Sequence, residues 1–366
     1  SVGSTMVTTR LAAVILAIAM VVVAVKFRGR MDDQAATTAA DQATANGVLV
    51  CASELRAVCD TLARTHRDIH IRIEEAQVTL TRLASPEFDS ATMSGEGRID
   101  AWLVPEPWPQ MVAEQRLRSG SGVGVLQPPS AVLARSPLVI AMWNDRRDAL
   151  QRRCENGTIT WKCIGREAGT PWGSESPVNS WGSVKPGHPV PDQTAEGLLV
   201  LGEASASWFG TSSYASNDFD NAAFRAWFDH LERAIPVFPV PPRTPLDEML
   251  FAGPAAFDLT GTLESTAAPQ IETSRDNARL SILYPEPLTT ADVVVTPVTG
   301  SQSGDRFMKL VKSQEGAQAL AQAGWRVEGQ PLAPGIPDVP VLGAESNVPR
   351  AGVLQALRAL WTEVIR

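Results

Sequence analysis

This 366-residue chain is short of the residues that most enzymes need. It has four histidines, His66, His70, His188 and His230, scattered along its length, so a zinc site is a poor expectation. No Gly-x-Ser-x-Gly elbow and no Walker loop occurs, which argues against a hydrolase or a nucleotidase. His188, in "KPGHPVP", is the one loop histidine where catalysis is worth testing, and a structural role competes with it. Nothing calls for a cofactor. Excess positive charge is also missing. The formal net charge is -8, and the first 30 residues contain no Asp or Glu but four basic residues. The remainder carries 28 basic against 40 acidic residues, a net of -12, which repels nucleic acid and anionic lipid. Such acidity suits a cationic ligand, or simply solubility.

Long apolar runs are rare too, with one exception. Residues 11–25, "LAAVILAIAMVVVAV", lack any polar side chain and are bracketed by Arg10 and "KFRGR". That length matches the apolar core of a signal peptide and approaches a membrane span. No lipobox cysteine follows, and no small-residue cleavage site comes after Val25, so residues 1–30 read as an uncleaved signal anchor, with a cleaved signal as the rival. Lys26, Arg28 and Arg30 outnumber Arg10, which by charge alone would leave the following domain in the cytoplasm. Cysteine usage opposes that. The four cysteines form two close pairs, Cys51/Cys59 and Cys154/Cys163, which read as two disulfides of an exported protein. Free thiols in a cytosolic one are the alternative.

Residues 31–46 are small and polar and read as a flexible tether. Regular structure begins at "VLVCASELRAVCDTLA", an apolar strand running into a helix for which Ser53 is a plausible N-cap. "DIHIRIEEA" alternates like a strand, "VTLTRLAS" opens a helix, and "RIDAWLVPEPW" gives a third strand. This βαβαβ order predicts a parallel sheet. "SPLVIAMW" is another buried strand, and two short helices after it would be stapled by Cys154 and Cys163. Thr194 caps a helix over "AEGLLVLGEASASWF", and Phe224, Trp227, Phe228 and Leu231 make the buried side of another. "AAFDLTGTLES" is a strand. Val293, Val294 and Val295 form a further strand, followed by a Gly/Ser turn and an amphipathic helix ending at Gly324-Trp325. Leu354, Leu357, Leu360 and Trp361 mark a terminal helix.

The ordered segments "VLVCASELRAV", "IDAWLVPEPWPQMV", "ARSPLVIAMWND", "WGSVKPGHPVPDQTAEGLLVL" and "FMKLVKSQEGAQALAQAGWR" resemble those of type II periplasmic solute-binding proteins, the receptors of ABC importers, with the molybdate-like and general extracellular branches nearest. The resemblance covers about residues 47–330 and rests on ordered weak motifs. It implies an α/β fold of two Rossmann-like lobes joined by a hinge of two crossover strands and preceded by a transmembrane helix. Residues 47–137 plus 285–366 would form lobe I and residues 138–284 lobe II, with the stretch 284–326 as the return to lobe I. The implied cleft groups are Ser53, Thr79, Thr81, Glu106, Trp108, Ser136, Gln193, Thr194, Thr262, Glu264 and Tyr284. For most of these a cap, packing or solvated-surface role competes with ligand contact. The implied partners are a small-molecule solute, an ABC permease or other membrane protein, and the membrane itself through the N-terminal helix. The chain departs from the oxyanion-binding pattern by placing Glu54 beside Ser53. A glutamate next to a bound anion is unfavourable, so an organic or cationic solute is expected. Two alternatives stand beside a transport receptor: a transport-inactive ectodomain serving as sensor or docking module, and a hydrolase using His188.

Overall fold

A computed structural model describes residues 46–88, 97–175 and 180–365. The apolar run 11–25 and the tether to residue 45 lie outside the described residues. Among the described residues no helix is long and apolar enough to cross a membrane.

The βαβαβ expectation holds. Strands β1 (Val48–Ala52), β2 (His70–Glu74) and β3 (Ala101–Pro105) pair in parallel with β1 at the centre. Helices α1 (Arg56–Thr65), α2 (Ala76–Ala84) and α3 (Trp108–Arg118) follow β1, β2 and β3 in turn. The valine-rich strand β7 (Thr290–Pro297) adds antiparallel to β3, so this half contains the first and last strands along the chain among the described residues.

One strand joins it to the rest. In β4 (Ala134–Trp143), residues 134–137 pair with β7, whereas residues 138–143 pair with β5 (Leu259–Leu263) on one side and β6 (Leu280–Leu283) on the other. The seven strands therefore form one hydrogen-bonded sheet, six of them in the order β2-β1-β3-β7-β4-β5 and β6 branching off β4. Alternation along β4 divides the apolar side chains by period two. Leu138, Ile140 and Met142 enter the main core, which is continuous through both halves. Val139, Ala141 and Trp143 enter a smaller cluster with Leu246, Met249 and Phe257.

The second half differs from a Rossmann-like expectation, because its strands are antiparallel around β4. Residues 184–190 run beside β5 and accept bonds from Asp258 N to Lys185 O and from Gly261 N to Gly187 O, both 2.9 Å, without becoming a strand. Pro186, Pro189 and Pro191 have no N–H with which to continue a ladder.

The helices of this half are α4 (Asn144–Arg153), α5 (Trp161–Glu167), α6 (Ala195–Phe209), α7 (Ala222–Arg233), α8 (Pro245–Ala252) and α9 (Glu264–Glu272). Cys154 and Cys163 are bonded and staple α4 to α5, and Cys51 is bonded to Cys59, so both expected pairs form. The predicted faces of α7 and the terminal helix are buried.

The expected single helix after Gly300 is two, α10 (Gln302–Val311) and α11 (Gln314–Gln322). Ser313 ends the first and caps the second, accepting from Gly316 N. After Trp325 the chain crosses the β4–β7 junction. Arg135 donates to Gly343 O (2.6 Å) and Ala344 O (2.9 Å), and Thr290 N donates to Ser346 O (2.9 Å). The terminal helix α12 (Ala351–Ile365) then packs on α3 of the parallel half and on α6 and α7 of the antiparallel half.

Candidate functional site

A crevice of about 590 Å³ opens between the two halves. Its parallel-half wall is built from the carboxyl ends of β1 and β2, where chain direction in an α/β sheet places free backbone donors and exposed side chains. Ser53 and Glu54 follow β1 directly, and Glu75 follows β2. The opposing wall is a set of helix starts. Pro189, Val190, Thr194 and Glu196 lead into α6, Arg243, Thr244 and Asp247 into α8, and Ser265 and Thr266 into α9. Pro189, Pro241, Pro242 and Pro269 give the crevice apolar facets.

Three converging helix N-termini would ordinarily attract an anion. Here the chain's own side chains occupy those donors. Thr194 caps α6 by accepting from Gly197 N (3.0 Å), and Glu54 reaches across from the other half to accept from Glu196 N at 2.8 Å. Thr244 and Asp247 cap α8 reciprocally, Asp247 N donating to Thr244 Oγ1 (3.2 Å) and Thr244 N to Asp247 Oδ2 (2.7 Å). Ser265 N, in the first turn of α9, donates to Ser136 Oγ (3.0 Å). A second bond between the halves, outside the crevice, joins Gln77 N to Gln193 O (3.1 Å).

The carboxylates are crowded. Loss of hydration in the crevice, then the charges of Glu196 and Glu75, push the Glu54 carboxyl up to about 7, against the bond from Glu196 N. Burial raises Glu196, opposed by its bonds from Thr262 Oγ1 (2.6 Å) and Leu263 N (2.8 Å) and reinforced by Asp247 and Glu75. Burial also raises Glu75, against the 2.6 Å hydrogen bond from Ser53 Oγ and the nearby Arg56.

Of the eleven groups named from sequence, Ser53 and Thr194 line the crevice. Ser53 does not cap α1: a 3-10 turn (Ser53–Leu55) intervenes, and its hydroxyl donates to Glu75 instead. Thr262 stands one layer behind, holding Glu196. Glu264, Tyr284 and Ser136 lie behind Ser265. Glu264 is fully buried, paired with Arg326 Nε (2.7 Å) and Nη2 (2.8 Å), and accepts from Tyr284 OH (2.5 Å). It is therefore not the solvated carboxylate that its sequence context suggests.

The remaining five lie away from the crevice. Thr79 is buried and donates to Glu74 Oε2 (2.7 Å), and Thr81 is exposed on α2, accepting from Gln77 Nε2 (3.1 Å). Glu106 follows β3, where its N–H donates to Asp292 O (2.7 Å). Trp108 is a core residue, 1% exposed. Gln193 presents its carbonyl, not its side chain, to the opposite half.

His188 is buried, with Nε2 3.0 and 3.1 Å from the Glu232 carboxylate, which also accepts from Trp361 Nε1 (2.7 Å). It is a tie beneath the terminal helix, out of reach of a substrate.

Sequence reasoning missed Glu75, Glu196, Asp247 and Ser265. Glu75 was within reach of the rule that sites gather at strand carboxyl ends. The other three depend on which helix starts meet across the crevice, which no local pattern encodes.

No protein-family model matches the chain, and no curated protein matches it significantly. Solved structures do. A periplasmic thiamin binding protein is 10% identical, with 87% of this chain and 96% of that one covered and a TM-score of 0.55. The periplasmic binding protein AfuA from Actinobacillus pleuropneumoniae, with fructose-6-phosphate bound, is 13% identical over 86% of this chain and 96% of its own, TM-score 0.54. The apo ferric ion-binding protein A of Pasteurella haemolytica is 12% identical over 87% and 97%, TM-score 0.53. The chain thus shares the mixed α/β fold of periplasmic binding proteins.

Proposed function

We propose that this protein is a membrane-tethered, extracellular, non-enzymatic receptor that captures a small polar or organic solute between its halves and presents it to an ABC-type importer. The observation that carries this reading is the crevice of about 590 Å³, walled by strand ends of one half and helix starts of the other. Its size falls in the range of small-molecule sites. The shared fold supports the reading, since the similar structures are periplasmic binding proteins. Two disulfides support an oxidising compartment, with the apolar run 11–25 as the tether. Residues 47–137 with 285–366, and residues 138–284, would be the moving lobes, with β4 and the β6–β7 passage as hinge. Ser53 and Thr194, the sequence-named groups that line the crevice, would touch the solute.

A specific observation favours the second reading, a sensor or docking module without transport. Helix α12 rests on both halves, and residues 343–346 are bonded across the β4–β7 junction, an arrangement that restrains opening. Purification of the full chain from its own host followed by native mass spectrometry decides between them. A retained small molecule and a co-purifying permease support the receptor. An empty crevice with a different membrane partner supports the sensor.

A further inference from the structure

We infer that the solute is an organic cation, an ammonium carried on an apolar body; this rests on the receptor reading above and narrows it. The crevice is lined by Glu54, Asp60, Glu75, Glu196 and Asp247 but by only two cationic side chains, Arg56 and Arg243. Arg243 is already committed to Glu248 at 2.6 Å. Arg56 acts on Glu75 through its charge, but the hydrogen bonds to the carboxylates come from neutral donors. Glu54 takes a backbone N–H, Glu75 a serine hydroxyl, and Glu196 a threonine hydroxyl and a backbone N–H. A site enclosing several carboxylates whose partners are neutral is electrostatically incomplete, and a cation entering it gains from all of them at low dielectric. Burial is the first cause of the raised proton affinity of Glu54, Glu75 and Glu196, and neighbouring carboxylates add to it at Glu54 and Glu196.

A second, independent feature points to a ligand. Ser265 lines the crevice, is 7% exposed, and its Oγ has no hydrogen-bond partner. Buried hydroxyls are normally satisfied, so this one is available to a polar substituent of the solute. An anion is disfavoured, because Glu54 already holds the donor at the start of α6 that an anion would use. A bare metal ion is disfavoured as well: among the described residues no three His, Cys, Asp or Glu groups converge closely enough to hold one. The proline facets Pro189, Pro241, Pro242 and Pro269 supply an apolar wall for the body of the molecule.

The test divides a metabolite extract of the host, by ion exchange, into cationic, neutral and anionic fractions, and follows thermal stabilisation of the full chain by each. Stabilisation by the cationic fraction is expected. Stabilisation by the anionic or neutral fraction alone overturns the cation while leaving the receptor reading intact. No stabilisation by any fraction, or by the undivided extract, overturns both. Glu54→Gln and Glu75→Gln should each raise the concentration of cationic fraction needed for half-maximal response by about tenfold or more, as expected for loss of a charged contact. Both should melt close to the parent without ligand at pH 4.5, on the acid side of the window in which Glu54 titrates. An unchanged response in both variants also overturns the assignment.

Discussion

Two buried glutamates flank Leu263, and their surroundings could hardly differ more. Glu264 meets a guanidinium squarely, with Arg326 Nε and Nη2 at 2.7 and 2.8 Å and the Tyr284 hydroxyl completing the set. Glu196 receives Thr262 Oγ1 and Leu263 N, and its charged neighbours are the other carboxylates Glu75 and Asp247. The first is finished within the protein. It ties α9 to the segment after α11, and Arg326 goes on to donate to Pro337 O (2.9 Å) and Pro340 O (3.2 Å), fastening the terminal passage. The second, with Glu54 and Glu75, is open toward the crevice. A carboxylate matched by a cation in the same chain is scaffold, whereas one matched only by neutral donors leaves charge for something else to answer.

The widest separation between the two should appear in stability. Glu264→Ala strands the Arg326 guanidinium and should cost about 3–5 kcal/mol in urea unfolding. Glu196→Gln keeps an acceptor for Thr262 and Leu263 and should change stability by less than about 1 kcal/mol. Similar losses from both would erase the distinction.

The two disulfides close loops of nearly equal length, with sequence separations of 8 and 9, so Cys59→Ser and Cys163→Ser should each cost roughly 2–3 kcal/mol. Only the first loop carries Ser53 and Glu54, so only Cys59→Ser should also weaken solute binding, measured by calorimetry.

Acidity offers the next contrast. The Glu54 carboxyl lies near 4.5 when unperturbed and at about 7 in the fold. Between those values the folded state binds more protons than the unfolded one, so stability should be greatest on the acid side and fall as pH rises through the window, by on the order of 1–3 kcal/mol. Glu54→Gln should flatten that slope, and a parent whose stability climbs from pH 5 to 7 would contradict it. The smallest effect is local. Thr194→Ala removes the cap of α6 and should cost about 1 kcal/mol in the same unfolding measurement, with a modest loss of binding because Glu54 still holds Glu196 N.

Much of the secondary structure was legible because it depends on near neighbours. Apolar period and capping chemistry placed β1, α6, α7, β7 and α12, and Thr194 caps as its position suggests. Legibility ended where one residue had two possible partners. Ser53 has the chemistry of a cap, but its hydroxyl donates to Glu75 at 2.6 Å instead. Glu264 has the chemistry of a surface acid until Arg326, 62 residues on, covers it. Trp108 sits at a loop edge in sequence and in the core in space.

The sequence by itself determined the parallel βαβαβ start, the paired cysteines and the acidic balance, because each follows from spacing or composition. Only the tertiary structure decided that β4 would serve both halves and that Glu54 would reach the start of a helix 142 residues away. It also decided which carboxylates would pair directly with a guanidinium and which would face the crevice hydrogen-bonded to neutral groups. Those outcomes rest on distances between segments remote in the chain, and electrostatic energy depends on such distances, not on order along the sequence.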